Sequence, residues 1–230
     1  MRTPGHDEEL AAGFLYTEGI LTSSKELRSI GHRKDKTHPE VCNVIDVIPA
    51  DGVDLKDRGW QRNFVSASSC GLCGKLTIES VRQKTPPVHD DSVRVDAETL
   101  YRLPDKMRAA QRGFDDTGGI HAAGLFDASG RLLVLREDIG RHNAVDKVIG
   151  SALLADEVPL SGRILMVSGR SSFEIVQKAL MARIPVVAAV SAGSSLAVEL
   201  AESSGMTLIG FLRGSSMNAY AGAERIGVGN

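Results

Sequence analysis

No apolar run in this 230-residue chain reaches the roughly 18 residues that a membrane-spanning helix needs. The first residues, Met1-Arg2-Thr3-Pro4-Gly5-His6-Asp7-Glu8, hold no apolar signal core, which argues against secretion and for the cytoplasm. Cysteine is scarce. Three cysteines, an odd number, cannot build a disulfide scaffold, and this fits a reducing compartment. An excess of charge of one sign is missing as well. The net charge of -2 argues against broad binding of nucleic acid or anionic membrane, while leaving room for a local anion site. Neither a Walker pattern nor G-x-G-x-x-G occurs, so ordinary ATP or NAD sites are not indicated.

What is present is concentrated in a few turns. Two of the three cysteines lie in Ser68-Ser69-Cys70-Gly71-Leu72-Cys73-Gly74-Lys75, among glycines and serines that would leave a sulfur uncovered for a large partner. Three chemistries use C-x-x-C: half a zinc site, a dithiol redox couple, and a sulfur-carrying thiol with a helper. Zinc needs four ligands, and Cys42 with scattered histidines supplies no second paired motif, so no structural metal is expected. A thioredoxin-like pair would open a helix after a strand, whereas this one precedes the regular part of the chain. A reactive sulfur carrier is the favoured reading. Lys75 is either a cation that helps hold a thiolate or a solvated loop residue.

The chain reads as two unequal parts. Residues 1–90 form a smaller N-terminal α+β part that carries the cysteine loop. It has a helix after Pro4-Gly5 that ends near Gly19, a solvated loop or edge hairpin over residues 24–40, and a strand over 41–48. Thr85-Pro86-Pro87 marks a stiff boundary. Residues 91–230 alternate strands with helices of about a dozen residues, as in a layered α/β sheet. A helix is expected over 97–111, kinked or starting at Pro104. Strands at 121–127 and 131–136 are joined by the turn Asp127-Ala128-Ser129-Gly130. Helices follow at 140–154, 171–183 and 194–203, with strands at 163–167 and 185–190 and a last one at 207–212. The runs Ile164–Val167 and Val186–Val190 are apolar on both faces, as central parallel strands must be.

Four polar turns fall where strands end. Asp138 to Lys147 puts Arg141 and His142 at a helix start, where free N–H groups suit an anion; the plainer alternative is capping, with Asp138 or Asn143 as a turn former and Arg141 paired with a surface acid, but so many polar groups in one turn favour a site. Ser168, Gly169, Arg170 and Ser171 could cradle a phosphate, and Ser171 with Glu174 also spells a capping box. Ser191 to Ser195 is a third such turn, and Phe211, Leu212, Arg213, Gly214, Ser215 and Ser216 close the last strand. Together they predict a groove along one sheet edge for a ligand with several phosphates. His121 precedes a strand and reads as a packed or hydrogen-bonded residue before it reads as a catalyst.

These motifs resemble the FdhD family of formate dehydrogenase accessory sulfurtransferases. The matching stretches are Ser-Ser-Cys-Gly-Leu-Cys-Gly-Lys, Thr-Gly-Gly-Ile-His-Ala-Ala, Glu-Asp-Ile-Gly-Arg-His-Asn-Ala-Val-Asp-Lys, Ser-Gly-Arg-Ser-Ser-Phe-Glu and Gly-Phe-Leu-Arg-Gly. The resemblance implies a cytoplasmic sulfur carrier. It would take persulfide sulfur from a cysteine desulfurase on Cys70, with Cys73 as partner, and pass it to the molybdenum bis-guanine-dinucleotide cofactor before formate dehydrogenase receives it. Phe211 to Ser216 would contact the guanine nucleotide part of that cofactor, and a homodimer is expected. Family members carry a segment before the Arg-Thr-Pro-Gly motif at which this chain starts, so a truncated start is expected. The implied fold is a three-layer α/β/α mixed sheet similar to cytidine deaminase. Deaminases need a metal ligand, a Glu two residues on and a Pro-Cys-x-x-Cys turn; here Ala144 and Ser168 to Ser172 stand in those places, so the scaffold would bind without deaminating. A molybdenum-cofactor chaperone without carrier chemistry, or a zinc-stabilised binding protein, remains the alternative.

Overall fold

Acidic residues gathered at the front of an apolar pattern start the first helix, α1 (Asp7–Thr17), with Asp7, Glu8 and Glu9 in its first turn, where they suit the helix dipole. A computed structural model describes residues 1–33, 43–55, 58, 87–88 and 92–227. After α1 come two antiparallel strands, β1 (Leu27–His32) and β2 (Ile45–Pro49). The polar stretch after residue 24 therefore contains a strand of the hairpin kind. Cys42, Cys70, Cys73, Lys75 and the Thr85-Pro86 boundary lie outside the described residues.

The second part begins with β3 (Val95–Asp96), α2 (Ala97–Tyr101), α3 (Leu103–Ala110) and α4 (Arg112–Thr117). The one helix expected over 97–111 is broken at Arg102, and Pro104 sits in the first turn of α3, where its missing N–H costs nothing. Next come β4 (His121–Phe126), β5 (Leu132–Asp138), α5 (Arg141–Leu154), β6 (Ile164–Val167), α6 (Phe173–Met181), β7 (Val186–Ala189), α7 (Ser195–Ser204), β8 (Thr207–Arg213), β9 (Ser216–Ala221) and β10 (Ile226–Gly227). The β4–β5 turn is set by Asp127, whose carboxylate accepts from the Ser129 hydroxyl and from Arg131, which brings its pKa down to about 2. Gly130 supplies the positive φ of 73° that the turn requires.

Six strands form one mixed sheet in the order β5-β4-β6-β7-β8-β9. β6, β7 and β8 run parallel, while β4 is antiparallel to both of its neighbours. Alternate residues serve opposite faces. Ala123, Leu125, Leu165, Val167, Val187 and Ala189 join one core with α5, α6, α7 and α1. Ala122, Phe126, Ile164, Met166, Val186 and Ala188 join the other, with Leu100, Leu103 and Met107 from α2 and α3. The result is the three-layer α/β/α arrangement with a mixed central sheet. Among the described residues no helix is long and apolar enough to cross a membrane.

Two features depart from the sequence reading. β8 is not the last strand: Gly214 and Ser215 make a two-residue turn, Arg213 pairs with Ser216, and β9 returns antiparallel. Its sequence, Ser-Met-Asn-Ala-Tyr-Ala, is mostly exposed and gives no alternating apolar signal. The second is the contact between α1 and α5. A Cβ on Gly13 would lie 1.9 Å from the carbonyl oxygen of Asp146, and one on Gly150 would lie 1.8 Å from that of Glu9. The two helices touch backbone to backbone, and only glycine permits it.

Candidate functional site

The strand directions decide which turns can meet. His121 at the start of β4 pairs with Asp138 at the end of β5, Ala123 with Val167 near the end of β6, and Val167 with Ala189 at the end of β7. The β8–β9 turn lies at the same edge, because β8 runs parallel to β7. All four polar turns thus lie along one edge of the sheet, the edge where open α/β folds collect ligands.

Main-chain bonds stitch these turns to one another. Ser171 N–H donates to Ala192 O (3.2 Å) and Ser194 N–H to Ser171 O (3.1 Å), an isolated parallel bridge between the turns after β6 and β7. Phe211 N–H donates to Ser191 O (3.1 Å), and Arg213 Nε donates to Val190 O (3.0 Å), joining the β8 end to the same turn. Phe211 adopts φ 50°, a conformation bulky residues avoid, and its side chain is exposed. The Arg213 guanidinium stands 5.8 Å from the centre of its ring. Gly214, Ser215 and Ser216 are exposed beside it. Leu212 is not: its side chain is fully buried in the α2–α3 core, so only its backbone can serve a ligand.

The turn before α5 divides its polar residues between two tasks. Asp138 is fully buried and accepts from Thr3 N–H (3.0 Å), Gly140 N–H (2.9 Å) and Asn143 Nδ2 (2.9 Å), with Lys147 Nζ at 2.8 Å. Burial opposes its charge, but Lys147 and the N–H donors outweigh it and hold the carboxyl below its usual range. Lys147 also donates to Thr3 O (2.9 Å). Asp146 accepts from Thr17 Oγ1 (2.8 Å) and from Lys178 Nζ (2.9 Å), tying α5 to α1 and α6. Asp138 and Asn143 thus shape the turn, while Gly140 is the N-cap of α5 and no side chain caps it. Arg141 pairs with no acid among the described residues, and its Nε is buried with no hydrogen-bond partner among them.

His142 Nε2 lies 3.1 Å from Ser172 Oγ and 2.9 Å from Glu174 Oε2, bracing the first turn of α5 against that of α6. The expected capping box is absent. Ser172, not Ser171, is the N-cap of α6, and no side chain caps it. Ser171 Oγ is instead fully buried and unpartnered among the described residues. Ser168 Oγ accepts from Ala122 N–H (2.9 Å), which extends the β4–β6 pairing. Arg170 is exposed. Gly169 packs where a Cβ would come 3.4 Å from His121 Nδ1 and 3.5 Å from Arg141 Cδ, so these two side chains flank the same spot. Burial, then the neighbouring Arg141 and His142, pull the His121 pKa down and so disfavour protonation of its ring.

Arg141, Arg170 and Arg213 thus line an edge whose acids are already paired: Asp138 with Lys147, and Glu174 with His142. Two donors there, Arg141 Nε and Ser171 Oγ, are buried and without a partner among the described residues, which is costly unless a ligand accepts from them. A sequence alone carries no signal for the positive φ of Phe211 or for a Ser171 hydroxyl without a partner among the described residues, because both depend on how neighbouring turns are stitched. Among the described residues no group of three His, Cys, Asp or Glu could hold a metal ion. A cavity of about 610 Å³ opens beside α1, lined by Arg2, Asp7, Leu10 and Phe14, and meets the strand-end turns only at Asn143.

Comparison with known proteins is consistent throughout. The model of the FdhD/NarQ family matches residues 1–227. The protein named sulfur carrier protein FdhD in Streptomyces avermitilis is 56% identical over 230 residues, covering 98% of this chain and 82% of the relative. The protein of the same name in Thermoplasma volcanium is 47% identical over 227 residues, covering 98% and 80%. A crystal structure of a proposed formate dehydrogenase accessory protein from Desulfotalea psychrophila superposes with a TM-score of 0.73 at 27% identity, covering 98% of this chain and 82% of that one.

Proposed function

The chain belongs to the FdhD/NarQ family, and on that premise we propose that it accepts persulfide sulfur from a cysteine desulfurase on Cys70 and delivers it to the molybdenum bis-guanine-dinucleotide cofactor, held along the strand-end turns, for formate dehydrogenase. The observation that carries the binding half is the pair of buried, unpartnered donors at that edge, Arg141 Nε and Ser171 Oγ. Phosphate oxygens would satisfy both, with the N-terminus of α6 and Arg170 or Arg213 adding to the attraction. The exposed Phe211 ring at the β8 end offers a flat face to a guanine.

The transfer half rests on the C-x-x-C pair. Cys70 thiolate attacks the outer sulfur of the donor's persulfide. The donor's S–S bond breaks, its own cysteine leaves as thiolate, and Cys70 keeps the outer sulfur as a persulfide. Delivering that sulfur as sulfide takes two electrons. Cys73 supplies them by attacking Cys70 Sγ and closing a disulfide, which an external thiol then reduces.

Chain length permits the delivery. Arg58 donates to Ile20 O and pairs with Glu26, and Val88 is held by Ser204 O and Arg225. Cys70 lies 12 residues beyond Arg58 and Cys73 lies 14 before Pro87, which allows reaches of about 40 Å and more at 3.3–3.6 Å per residue. The Ser204 tether is one helix length, about 15 Å for the ten residues of α7, from the turn before Ser195.

Mass spectrometry after incubation with a desulfurase and cysteine tests the reading. A gain of about 32 Da on the peptide with Cys70, absent in Cys70→Ala, is expected. Cys70→Ala should also abolish formate dehydrogenase maturation while cofactor binding persists. No adduct on the wild-type protein would reject the carrier role and leave a cofactor chaperone; stoichiometric zinc in the purified protein would reject it in favour of a zinc-stabilised fold.

A further inference from the structure

His121 belongs to the edge but has no part in the reading above. Its ring has no hydrogen-bond partner among the described residues, although it is half buried and flanks Gly169 opposite Arg141. Charged and titratable groups surround it on each side. Arg141 and His142 approach from α5, Asp138 is its register partner on β5, and Arg170 follows Gly169 in the β6–α6 turn. Of these, Asp138 is neutralised by Lys147 and His142 is engaged with Ser172 and Glu174. An imidazole with no acceptor among the described residues, facing Arg141 across Gly169 at a site with two further donors that no described residue uses, is complete only when an anion arrives.

We infer that His121 is a ligand-contact residue of this edge, which takes up a proton as a diphosphate settles beside Arg141 and Ser171 and then donates a charge-assisted hydrogen bond to it. This rests on the proposed binding of a guanine dinucleotide at the same turns. The proton balance is simple. The free protein disfavours a charge on His121, because burial and then the neighbouring Arg141 and His142 oppose it. A diphosphate contributes negative charge at the same spot and reverses that preference. One proton passes from buffer to the ring, no bond to the ligand is made or broken, and affinity rises as pH falls through the histidine range.

Calorimetric titration with guanosine diphosphate, in two buffers of different ionisation enthalpy, counts the protons taken up. The wild-type protein should bind with net uptake near pH 6 and with little at about pH 8. His121→Gln should abolish the uptake and weaken binding near pH 6 by about tenfold, the loss of one charge-assisted bond. His142→Gln should keep the uptake, which separates the two imidazoles. Binding of the diphosphate by the wild-type protein without uptake, or uptake unchanged in His121→Gln, overturns the assignment of His121 and leaves the site intact. Failure of the wild-type protein to bind the diphosphate overturns both. The wild-type count needs no variant, so misfolding of His121→Gln would not shelter the inference.

Discussion

Replacing Gly13 by alanine probes the closest contact in the fold. The added methyl would start 1.9 Å from the carbonyl oxygen of Asp146, 2.7 Å from its carbon and 2.8 Å from the nitrogen of Gly150. All three are backbone atoms, so no rotamer change relieves the overlap. The helices must part by at least about 1 Å, and a gap of that size forfeits a quarter to a half of each dispersion contact along the crossing. It also strains the bond from Thr17 Oγ1 to Asp146 and, through it, the buried Lys178. Against this stands the helix preference of alanine over glycine, about 1 kcal/mol. Overpacking penalties of 1–3 kcal/mol, at their upper end here, leave a net loss of about 2 kcal/mol. In a protein of this size that lowers Tm by about 4–8 °C. Gly150→Ala should cost about as much. The double variant should cost less than the two combined, because one separation of the helices accommodates both methyls. Thermal denaturation of the four proteins measures all of this. An unchanged or higher Tm for Gly13→Ala would refute the backbone contact between α1 and α5.

Lys147→Met should destabilise by about 3–5 kcal/mol, since it strands the fully buried Asp138 carboxylate, and Asp138→Asn in the same chain should recover part of the loss. The pH profile checks the cause. Asp138 is held below the ordinary carboxylate value of 3.8, so its contribution is fully present above that value and is lost as pH falls through the folded value. Denaturant midpoints should therefore drop with acidification in the wild-type protein and less, or in the opposite direction, in Lys147→Met. Phe211→Gly releases the φ of 50° and should raise stability by about 1 kcal/mol while weakening guanosine diphosphate binding. A stability gain with binding unchanged would remove Phe211 from the site.

The sequence made the parallel core legible because Ile164–Val167 and Val186–Val190 are apolar on both faces and can only be central. The convergence of the turns followed from the same alternation of strands and helices. β9 was hidden because an edge strand with one exposed face needs little apolar character, and its Gly214-Ser215 turn also reads as a strand end. The broken helix over 97–111 turns on Arg102, where no composition signal stands apart from Pro104. At the site, residue types were legible and their assignments were not. Ser171 read both as a phosphate contact and as a cap, and it is not the N-cap; Leu212 read as a contact and its side chain is core; His121 read as a packed residue, and neither its ring nor the Ser171 hydroxyl has a partner among the described residues. Each outcome depends on which way a side chain turns, and that is fixed by tertiary bonds such as Ser171 to Ala192 and Phe211 to Ser191.

The stretch from Asp138 to Lys147 explains why so many polar residues crowd one turn. Asp138, Asn143, Asp146 and Lys147 are spent on holding α5 in place, three of them in two buried aspartate–lysine pairs that face opposite ways. Lys147 reaches back to the β5 turn and to Thr3, while Asp146 reaches across to Lys178 on α6 and Thr17 on α1. Buried pairs of this kind add little net stability, but they fix geometry, because any shift leaves a charge uncompensated in a dry interior. What they fix is the first turn of α5 relative to that of α6, and hence the separation of Arg141 from Ser171 and the contact of His142 with Ser172 and Glu174. Ala144, in the same turn, is fully buried in the core, so the first turn of α5 holds its polar side chains on a fixed base. That rigidity is what the proposed binding edge would require.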